Sequence, residues 1–596
     1  MCGIFGIVTA TDEPLGELMV GAAQRLSYRG YDSVGMATID GTSRIDLRKD
    51  VGKVDAVAER LRFAEMRGRL GILQLRWATF GAPSKENAQP HLDSDGDLVG
   101  AHNGNVVNNA KLRETFIAEG MTVRSTNDGE SCVHAVERYV DRGENIVDAI
   151  RHAHGVLEGD YAFVIASVDD ERLYGFKKGS GLVVGLGDTF TCCSSDLPSI
   201  LPLSRNIVRV MDGEIVCLSA DGVELWSVLD GARIEREPEE FNEGMDTAVK
   251  GGYPHFMLKE IHEQPRVAGE LLHLLAASPH VDPMVDTMRE ARHLYYVGCG
   301  TSYHACMVGA VYAARLAQRS VIPVLAPQFV AQYGPALDSS DAAVFVSQSG
   351  ETKDVLNALE AAERHGVTDL ALLNVLGSTL AHHSRTYLPL ACGYEISVPA
   401  TKTFINQLVA FLYLALRMGG HSVDVLSDLP KLLERTIEEA GPQVDRLLPA
   451  FEGHSDFYEL GYGLTYGIAL EGALKLKEIT YAHCEGALST EFKHGPLSAV
   501  DEGYPVVFVV GPEDVPVLIS AINEVTTRGG RAIAIAEPDS RLDGNAHDLI
   551  ALPESGPLLN PILATIPLQL LAYRLCIERG LDPDFPRNLS KTLTVD

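Results

Sequence analysis

Short apolar runs separated by turns dominate the first 240 residues. Runs typical of strands are Cys2–Val8, Val34–Ile39, Leu70–Gln74, Leu98–His102, Tyr161–Val168 and Ile207–Cys217. Helical spacing of apolar residues occurs at Gly16–Leu26, Val54–Glu65 and Ser131–Tyr139. Because strands and helices are mixed without regular alternation, the pattern predicts an α+β domain with sheets sandwiched between helices.

The second half contains an internal repeat. Tyr296–Tyr303 resembles Glu459–Tyr466, and Gly461 follows Gly298 by 163 residues. In each copy short apolar strands alternate with amphipathic helices, which predicts two duplicated, doubly wound parallel α/β domains packed face to face. The resulting expectation is a domain at 1–240, a polar linker at 241–284, α/β domains at 285–425 and 455–585, and a C-terminal tail at 586–596.

Composition narrows the class of function. The chain has 596 residues with 50 Lys and Arg against 81 Asp and Glu, a net charge of −31. Binders of nucleic acid or anionic membranes are usually basic, so neither partner is expected. No apolar run suggests a membrane span or a secretory signal. Ten scattered cysteines without a C-x-x-C pair indicate reduced thiols, a cytoplasmic protein and no metal site.

Cys2 is the first candidate for chemistry. If the initiator Met1 is removed, Cys2 carries both a thiol and a free α-amine. An α-amine titrates near pH ~8 and is therefore partly a base at neutral pH. One residue then supplies nucleophile and base, as in N-terminal nucleophile enzymes. The alternative is that Cys2 is only a small buried residue at the start of a strand.

Two loops in the first α/β copy are candidates for phosphate binding. Gly298–Ser302 and Ser347–Thr352 each join a strand to a helix and are rich in small and hydroxyl residues. Backbone N–H groups and the helix dipole favour an anion there. A dinucleotide site is disfavoured because Tyr303 replaces the third glycine, and simple N-capping is the other alternative. The matching Val510–Glu513 of the second copy suits phosphate poorly.

In the second α/β copy and the tail, several polar residues do not individually predict a functional site. Lys475 and Glu478 are three residues apart, on one helix face, where a surface ion pair is the usual outcome. His494 precedes Gly-Pro and is equally consistent with an ordinary loop histidine. The segment Pro586–Lys591 would normally be a disordered tail.

Taken together, the motifs resemble the glutamine–fructose-6-phosphate aminotransferase (isomerising) family over essentially the whole length. The resemblance implies an αββα N-terminal nucleophile glutaminase followed by two sugar isomerase (SIS) domains, with no metal or organic cofactor. It implies glutamine and fructose 6-phosphate as substrates, ammonia passed between the domains, and a homodimer. The motifs are Met1–Ile4, Tyr28–Ser33, Arg76–Thr79, His102–Gly104, Ser347–Thr352, Ala400–Lys402, Lys493–Pro496 and Pro586–Lys591.

The resemblance also implies roles in the glutaminase domain. Cys2 would attack the glutamine amide, and Asn103 and Gly104 would form the oxyanion hole. Arg76 and Asp128 would bind the α-carboxylate and α-ammonium of glutamine. The remaining glutamine-binding positions are Trp77, which resembles a gating indole on the ammonia channel, and Thr79.

For the isomerase half, the resemblance makes Lys591 the Schiff-base lysine at the C2 carbonyl and Glu478 the proton carrier between C1 and C2. Lys475 would stabilise negative charge and His494 would assist ring opening. The tail would then cover the sugar site. The sugar-phosphate-binding positions are Thr301, Ser302, Ser347, Gln348, Ser349, Thr352, Val398 and Ser590.

The chain departs from the family pattern at several points. Phe80 and Gln89 stand where histidines are usual, and Asn127–Glu130 and Ser397–Pro399 also differ. These changes leave open a divergent paralogue acting on another ketose phosphate. Two further alternatives are a different glutamine-dependent synthase, for which the necessary second-domain loops are missing, and a non-catalytic sugar-phosphate regulator, in which Cys2 would have no purpose.

Overall fold

In a computed structural model, which describes residues 2–78, 81–240, 250–376 and 378–591, the described residues up to 240 form one unit and those from 250 to 591 form a second. The strands of the first unit are β1 (Gly3–Glu13), β2 (Ser33–Ile39), β3 (Ile45–Val51), β4 (Gly68–Arg76), β5 (His91–Leu92), β6 (Leu98–Val106), β7 (Gly159–Ser167), β8 (Leu173–Lys178), β9 (Val183–Leu186), β10 (Phe190–Ser194), β11 (Asn206–Arg209), β12 (Glu214–Ser219), β13 (Gly222–Ser227), β14 (Arg233–Ile234) and β15 (Glu239–Glu240). Its helices are α1 (Leu15–Leu26), α2 (Val54–Arg60), α3 (Asn109–Ala118), α4 (Asp128–Val140) and α5 (Ile146–His154).

These strands form two stacked sheets. One has the order β15-β11-β9-β10-β1-β4-β2-β3 and the other β14-β13-β12-β8-β7-β6-β5. Apolar side chains of β1, β4, β6 and β7 fill the space between the sheets, and α4 and α5 cover the outer face of the second sheet. Helix α1 packs on the first sheet. The predicted αββα sandwich is confirmed.

Two element predictions were too long, and backbone geometry explains both. The run 207–217 is split into β11 and β12, which belong to different sheets. The turn between them contains Gly213 with φ +80°, a conformation that favours glycine. Helix α2 ends at Arg60 rather than Glu65, because Arg62 takes up a left-handed conformation with φ 53°.

The second unit contains two parallel five-stranded sheets. Its strands are β16 (Leu294–Gly298), β17 (Ile322–Leu325), β18 (Ala342–Ser347), β19 (Thr368–Leu373), β20 (Thr386–Pro389), β21 (Asp456–Gly461), β22 (His483–Leu488), β23 (Pro505–Val509), β24 (Arg531–Ala536) and β25 (Asp548–Ala551). Its helices are α6 (Phe256–Ala277), α7 (Val281–Glu290), α8 (Gly300–Ala317), α9 (Ala326–Tyr333), α10 (Lys353–Arg364), α11 (Thr379–His383), α12 (Lys402–Gly419), α13 (Leu429–Leu447), α14 (Tyr466–Thr480), α15 (Val515–Thr526) and α16 (Asn560–Glu578).

The two sheets confirm the duplication. Their orders, β17-β16-β18-β19-β20 and β22-β21-β23-β24-β25, are the same doubly wound arrangement when strands are counted within each copy. Apolar residues of α8, α12, α14 and α16 belong to one continuous core. The two copies therefore pack together through their helices.

Part of the predicted linker is structured. Residues 256–277 form helix α6, because Met257, Ile261 and Leu271 are fully buried in the core shared by the two copies. The polar residues on its other face account for the linker prediction.

Helix α16 is apolar and long enough to cross a membrane, although no such run was predicted from the sequence. In the structure, 89% of that stretch is buried inside the unit.

Candidate active sites

The thiol of Cys2 lies at the start of β1, against the backbone that follows β4. The N–H of Trp77 donates to Sγ at 3.3 Å, and Sγ lies 3.5 Å from the Trp77 carbonyl oxygen. Pairing of Gly3 with Leu75 holds the two strands in this register. Burial raises the pKa of the Cys2 thiol, so a base is needed to form the thiolate near neutral pH.

The predicted oxyanion residues follow each other on β6. Asn103 is buried, and its Nδ2 donates to Ser195 Oγ at 2.7 Å. Ser195 Oγ also accepts the N–H of Ile4 at 2.7 Å, which ties this part of β6 to β1 close to Cys2. Gly104 has φ +107°, and a Cβ there would lie 2.2 Å from the Asp160 carbonyl oxygen. Only glycine fits this position without strain.

Two buried charges lie in the same region. Arg76 ends β4 and donates to the Gly81 carbonyl oxygen at 2.6 Å, and burial lowers the pKa of its guanidinium. Asp128 begins α4 and accepts the N–H of Val106 at 3.0 Å. Both side chains are nearly inaccessible to solvent, which suits a site that matches the two charges of a free amino acid. Thr79 lies outside the described residues.

In the second unit, the two predicted phosphate loops lie side by side. They follow β16 and β18, which are neighbouring parallel strands, so their loops meet at the carboxyl edge of the sheet. Ser347 Oγ lies 3.1 Å from Thr352 Oγ1 and accepts the N–H of Gly350 at 3.0 Å. In the other loop, Ser302 Oγ accepts Gln407 Nε2 at 2.9 Å. The edge offers hydroxyl and N–H groups beside the N-termini of α8 and α10.

A polar network joins the first copy to the second. Thr301 Oγ1 donates to Glu471 at 2.9 Å and accepts Lys475 Nζ at 3.1 Å. Lys475 also contacts Glu478 Oε2 at 2.6 Å. Burial opposes the positive charge of Lys475, yet Glu471 and Glu478 together raise its pKa above the usual value. For Glu478, burial raises the carboxyl pKa. Lys475 thus places a buried ammonium group directly against the Glu478 carboxyl group.

Lys591 is buried rather than exposed. Its Nζ lies 2.5 Å from Glu395 Oε2, and the side chains of Lys591 and Glu395 are 4% and 0% exposed. Glu395 lies between β20 and α12 and also accepts the Thr403 hydroxyl at 2.7 Å. The charge of Lys591 acts on Glu478 as well. The preceding segment is anchored, since the carbonyl oxygen of Asp584 accepts the Val398 N–H at 3.0 Å.

His494 is not brought into this group. It is exposed on a short turn of 3-10 helix, where its N–H donates to the Glu491 carbonyl oxygen at 2.9 Å.

Among the described residues, no cluster of three or more His, Cys, Asp or Glu side chains is arranged to hold a metal ion.

Several site residues had no sequence signal that we recognised. Glu395 precedes the Ser397–Pro399 segment, and Glu260 lies in the predicted linker. Glu260 accepts the N–H of Ser397 at 3.2 Å, and burial, followed by repulsion from Glu395, raises its pKa to about 8. Glu471 is four residues from Lys475 on α14, so the helix periodicity that linked Lys475 to Glu478 could have found it.

Comparison with known families defines the class of protein. Residues 74–183 match the glutamine amidotransferase domain, and residues 287–417 and 455–579 each match the SIS domain. Over 57% of its length, the chain resembles the C-terminal domain of glucosamine-fructose-6-phosphate aminotransferase from Francisella tularensis, with a TM-score of 0.52, 32% identity and coverage of 100% of that structure. The chain is therefore a glutamine amidotransferase domain joined to two SIS domains.

Full-length relatives define the family. The chain is 40% identical to the glutamine–fructose-6-phosphate aminotransferase (isomerising) of Methanothermobacter thermautotrophicus and 37% identical to that of Aquifex aeolicus, with 100% of both chains covered in each case. The chain belongs to the glutamine–fructose-6-phosphate aminotransferase (isomerising) family, which confirms the resemblance seen in the motifs.

Proposed function

We propose that this enzyme hydrolyses glutamine at Cys2 and uses the ammonia to convert fructose 6-phosphate into glucosamine 6-phosphate. The observation that carries the proposal is the burial of Lys591 against Glu395, within electrostatic reach of Glu478. A buried amine in contact with a carboxyl group is suited to exchanging the protons that Schiff-base formation requires. A sugar-binding regulator would not need this group.

In the glutaminase reaction, the α-amine of Cys2 takes the thiol proton once Met1 has been removed. Sγ then bonds to the amide carbon of glutamine, and Asn103 and Gly104 stabilise the oxyanion. The α-ammonium of Cys2 gives this proton to the amide nitrogen, and collapse of the intermediate releases ammonia and leaves a thioester. Water cleaves the thioester to glutamate and restores the thiol. Arg76 and Asp128 hold the two charges of the amino acid throughout.

In the isomerase reaction, the hydroxyls of Ser347 and Thr352 hold the sugar phosphate. The amine of Lys591 condenses with the C2 carbonyl and releases water. Ammonia displaces Lys591 from C2 and gives the imine of the ketose. Glu478 removes a proton from C1 while the imine nitrogen gains one, which gives an enaminol, and it then returns a proton to C2 while the C1 hydroxyl loses its own, which yields the 2-amino aldose. Lys475 stabilises the negative charge that develops between these two transfers.

We further propose that the enzyme works as a cytoplasmic homodimer, as the family resemblance implies. The exposure of His494 supports this, because a residue that assists ring opening must be brought to the sugar by a rearrangement or by a second copy. Sedimentation of the purified protein tests the assembly.

The function is tested by supplying glutamine and fructose 6-phosphate and measuring glutamate and glucosamine 6-phosphate. Equal amounts of both products are expected. Supplying ammonium salt instead of glutamine should give the amino sugar without glutamate. Glutamate formation without any amino sugar, with several ketose phosphates tried in turn, would contradict the proposal.

A further inference from the structure

The side chain of Gln89 completes strand β6 at the glutaminase site. Strand β5 pairs with β6 only at Val99 and Gly100. Further along β6, the N–H of His102 donates to Gln89 Oε1 at 2.7 Å, and Gln89 Nε2 donates to the His102 carbonyl oxygen at 3.1 Å. A primary amide offers one acceptor and one donor side by side. The Gln89 side chain therefore takes the place of a neighbouring strand.

The backbone around Gln89 is itself held firmly. Lys49 Nζ donates to the carbonyl oxygens of Ala88 at 2.6 Å and of Pro90 at 3.0 Å, one on each side of Gln89. Gly35, the register partner of Lys49, packs closely on the same segment, since a Cβ there would lie 2.2 Å from the Gln89 carbonyl oxygen. Gln89 is only 1% exposed. Its amide therefore has little freedom to move away from His102.

Gly129 provides the space that the Gln89 amide needs. It is the second residue of α4, directly after Asp128. A Cβ at Gly129 would lie 2.6 Å from Gln89 Oε1 and 2.8 Å from its Cδ, closer than carbon and oxygen atoms approach without bonding. Any larger residue at position 129 would push the Gln89 amide off His102. The two positions therefore depend on each other.

We propose that Gln89 and Gly129 form a positioning pair that fixes the oxyanion donors of the glutaminase site. Asn103 and Gly104 follow His102 directly on β6, so a shift of His102 displaces both. This inference rests on the proposed glutaminase function. The pair binds no substrate atom, and its effect is exerted through the strand.

The expected consequence is a loss of turnover rather than of substrate binding. Removing one complete oxyanion donor costs roughly 100- to 1,000-fold in kcat, so displacing the donors should cost less. We expect Gln89→Leu to lower kcat for glutamine hydrolysis by about 10- to 100-fold, with KM changed by less than about threefold. Gln89→Glu keeps the hydrogen-bond acceptor for the His102 N–H and loses the donor to the His102 carbonyl oxygen. Its kcat for glutamine hydrolysis should lie between those of Gln89→Leu and wild type.

The decisive experiment is a double-mutant cycle in the full-length enzyme, with kcat and KM for glutamine hydrolysis measured for Gln89→Leu, Gly129→Ala and the double variant. The matched glycine control is Gly222→Ala on β13, where a Cβ would meet nothing within 4 Å. If the pair acts as proposed, the double variant loses much less than the product of the two single losses, and the control keeps the wild-type rate.

The inference is overturned by losses that multiply, by a rise in KM with kcat unchanged, or by a Gln89→Leu variant that matches wild type. Ammonia-dependent synthesis and thermal unfolding are measured on the same samples, and a variant that retains both has not lost its fold. If the wild-type protein hydrolyses no glutamine, the proposed function fails instead. If wild type is active and Gln89→Leu matches it, only the positioning role fails.

Discussion

Replacing Glu395 with glutamine tests the buried ion pair at the isomerase site. Glu395 Oε1 accepts the N–H groups of Thr401 at 2.9 Å and Thr403 at 3.1 Å, and a glutamine carbonyl can keep both. Oε2 accepts hydrogen bonds from the Thr403 hydroxyl and from Lys591 Nζ. In Glu395→Gln, an NH2 group takes the place of Oε2, and it cannot accept from either donor. Lys591 is then a buried charge without its partner carboxylate, which typically costs about 3–5 kcal/mol. Because the two hydrogen bonds to Oε1 survive, we expect Glu395→Gln to lower the free energy of unfolding by about 3 kcal/mol, the lower end of this range.

The assay compares Glu395→Gln, Lys591→Met and the double variant by chemical unfolding. Lys591→Met leaves Glu395 with three hydrogen bonds, so this variant should lose less stability than Glu395→Gln does. Removing the lysine charge should also rescue Glu395→Gln, since replacing both members of a buried pair is often nearly neutral. All three should lose amino-sugar synthesis and keep glutamine hydrolysis. A double variant no more stable than Glu395→Gln would refute the ion-pair argument.

Other predictions concern both sites. Cys2→Ala should abolish glutamine hydrolysis and keep ammonia-dependent synthesis, and wild-type hydrolysis rates in this variant would contradict the nucleophile assignment. Ser347→Ala combined with Thr352→Ala should weaken sugar-phosphate binding by about 2–3 kcal/mol in calorimetry, whereas unchanged affinity would place the phosphate elsewhere. Burial raises the folded-state pKa of Glu260 from 4.5 to about 8, so the folded protein keeps a proton that the unfolded chain loses. Stability should therefore fall as pH rises from 5 to 8, and Glu260→Gln should flatten this slope in thermal unfolding. Equal slopes for the two proteins would show that Glu260 does not titrate as described.

Much of the fold follows from local patterns, and the failures have local causes. The offset between Gly298 and Gly461 predicted the duplication, because equal strand and helix spacing specifies equal topology. The split of the run 207–217 was missed although the polar Asp212 and Glu214 flank Gly213, and an Asp-Gly pair is a turn signal that could have separated the two strands. Helix α6 was missed because its polar face obscured an apolar stripe.

In the candidate sites, too, local sequence pointed to some residues, whereas contacts between distant segments appear only in the folded structure. Candidates whose proposed role depends on neighbours in sequence, such as Ser347 and Thr352, could be named from their loop alone, and the structure places their hydroxyls 3.1 Å apart. Glu395 and Lys591 meet across 196 positions, and no spacing rule connects them. Gln89 was recognised as a departure from the family pattern, but its contact with His102 and its dependence on Gly129 emerge only when three separate segments are brought together.

The bond between Thr301 of the first copy and Glu471 and Lys475 of the second has a consequence for the duplication itself. Two identical α/β domains related by symmetry would present two equivalent sites. Here the first copy keeps the hydroxyl loops, and the second, whose corresponding loop is Val510–Glu513, supplies the carboxyl and ammonium groups. Specialisation of this kind ties the halves together: neither can be lost, exchanged or reordered independently, and a mutation in one is constrained by the chemistry of the other.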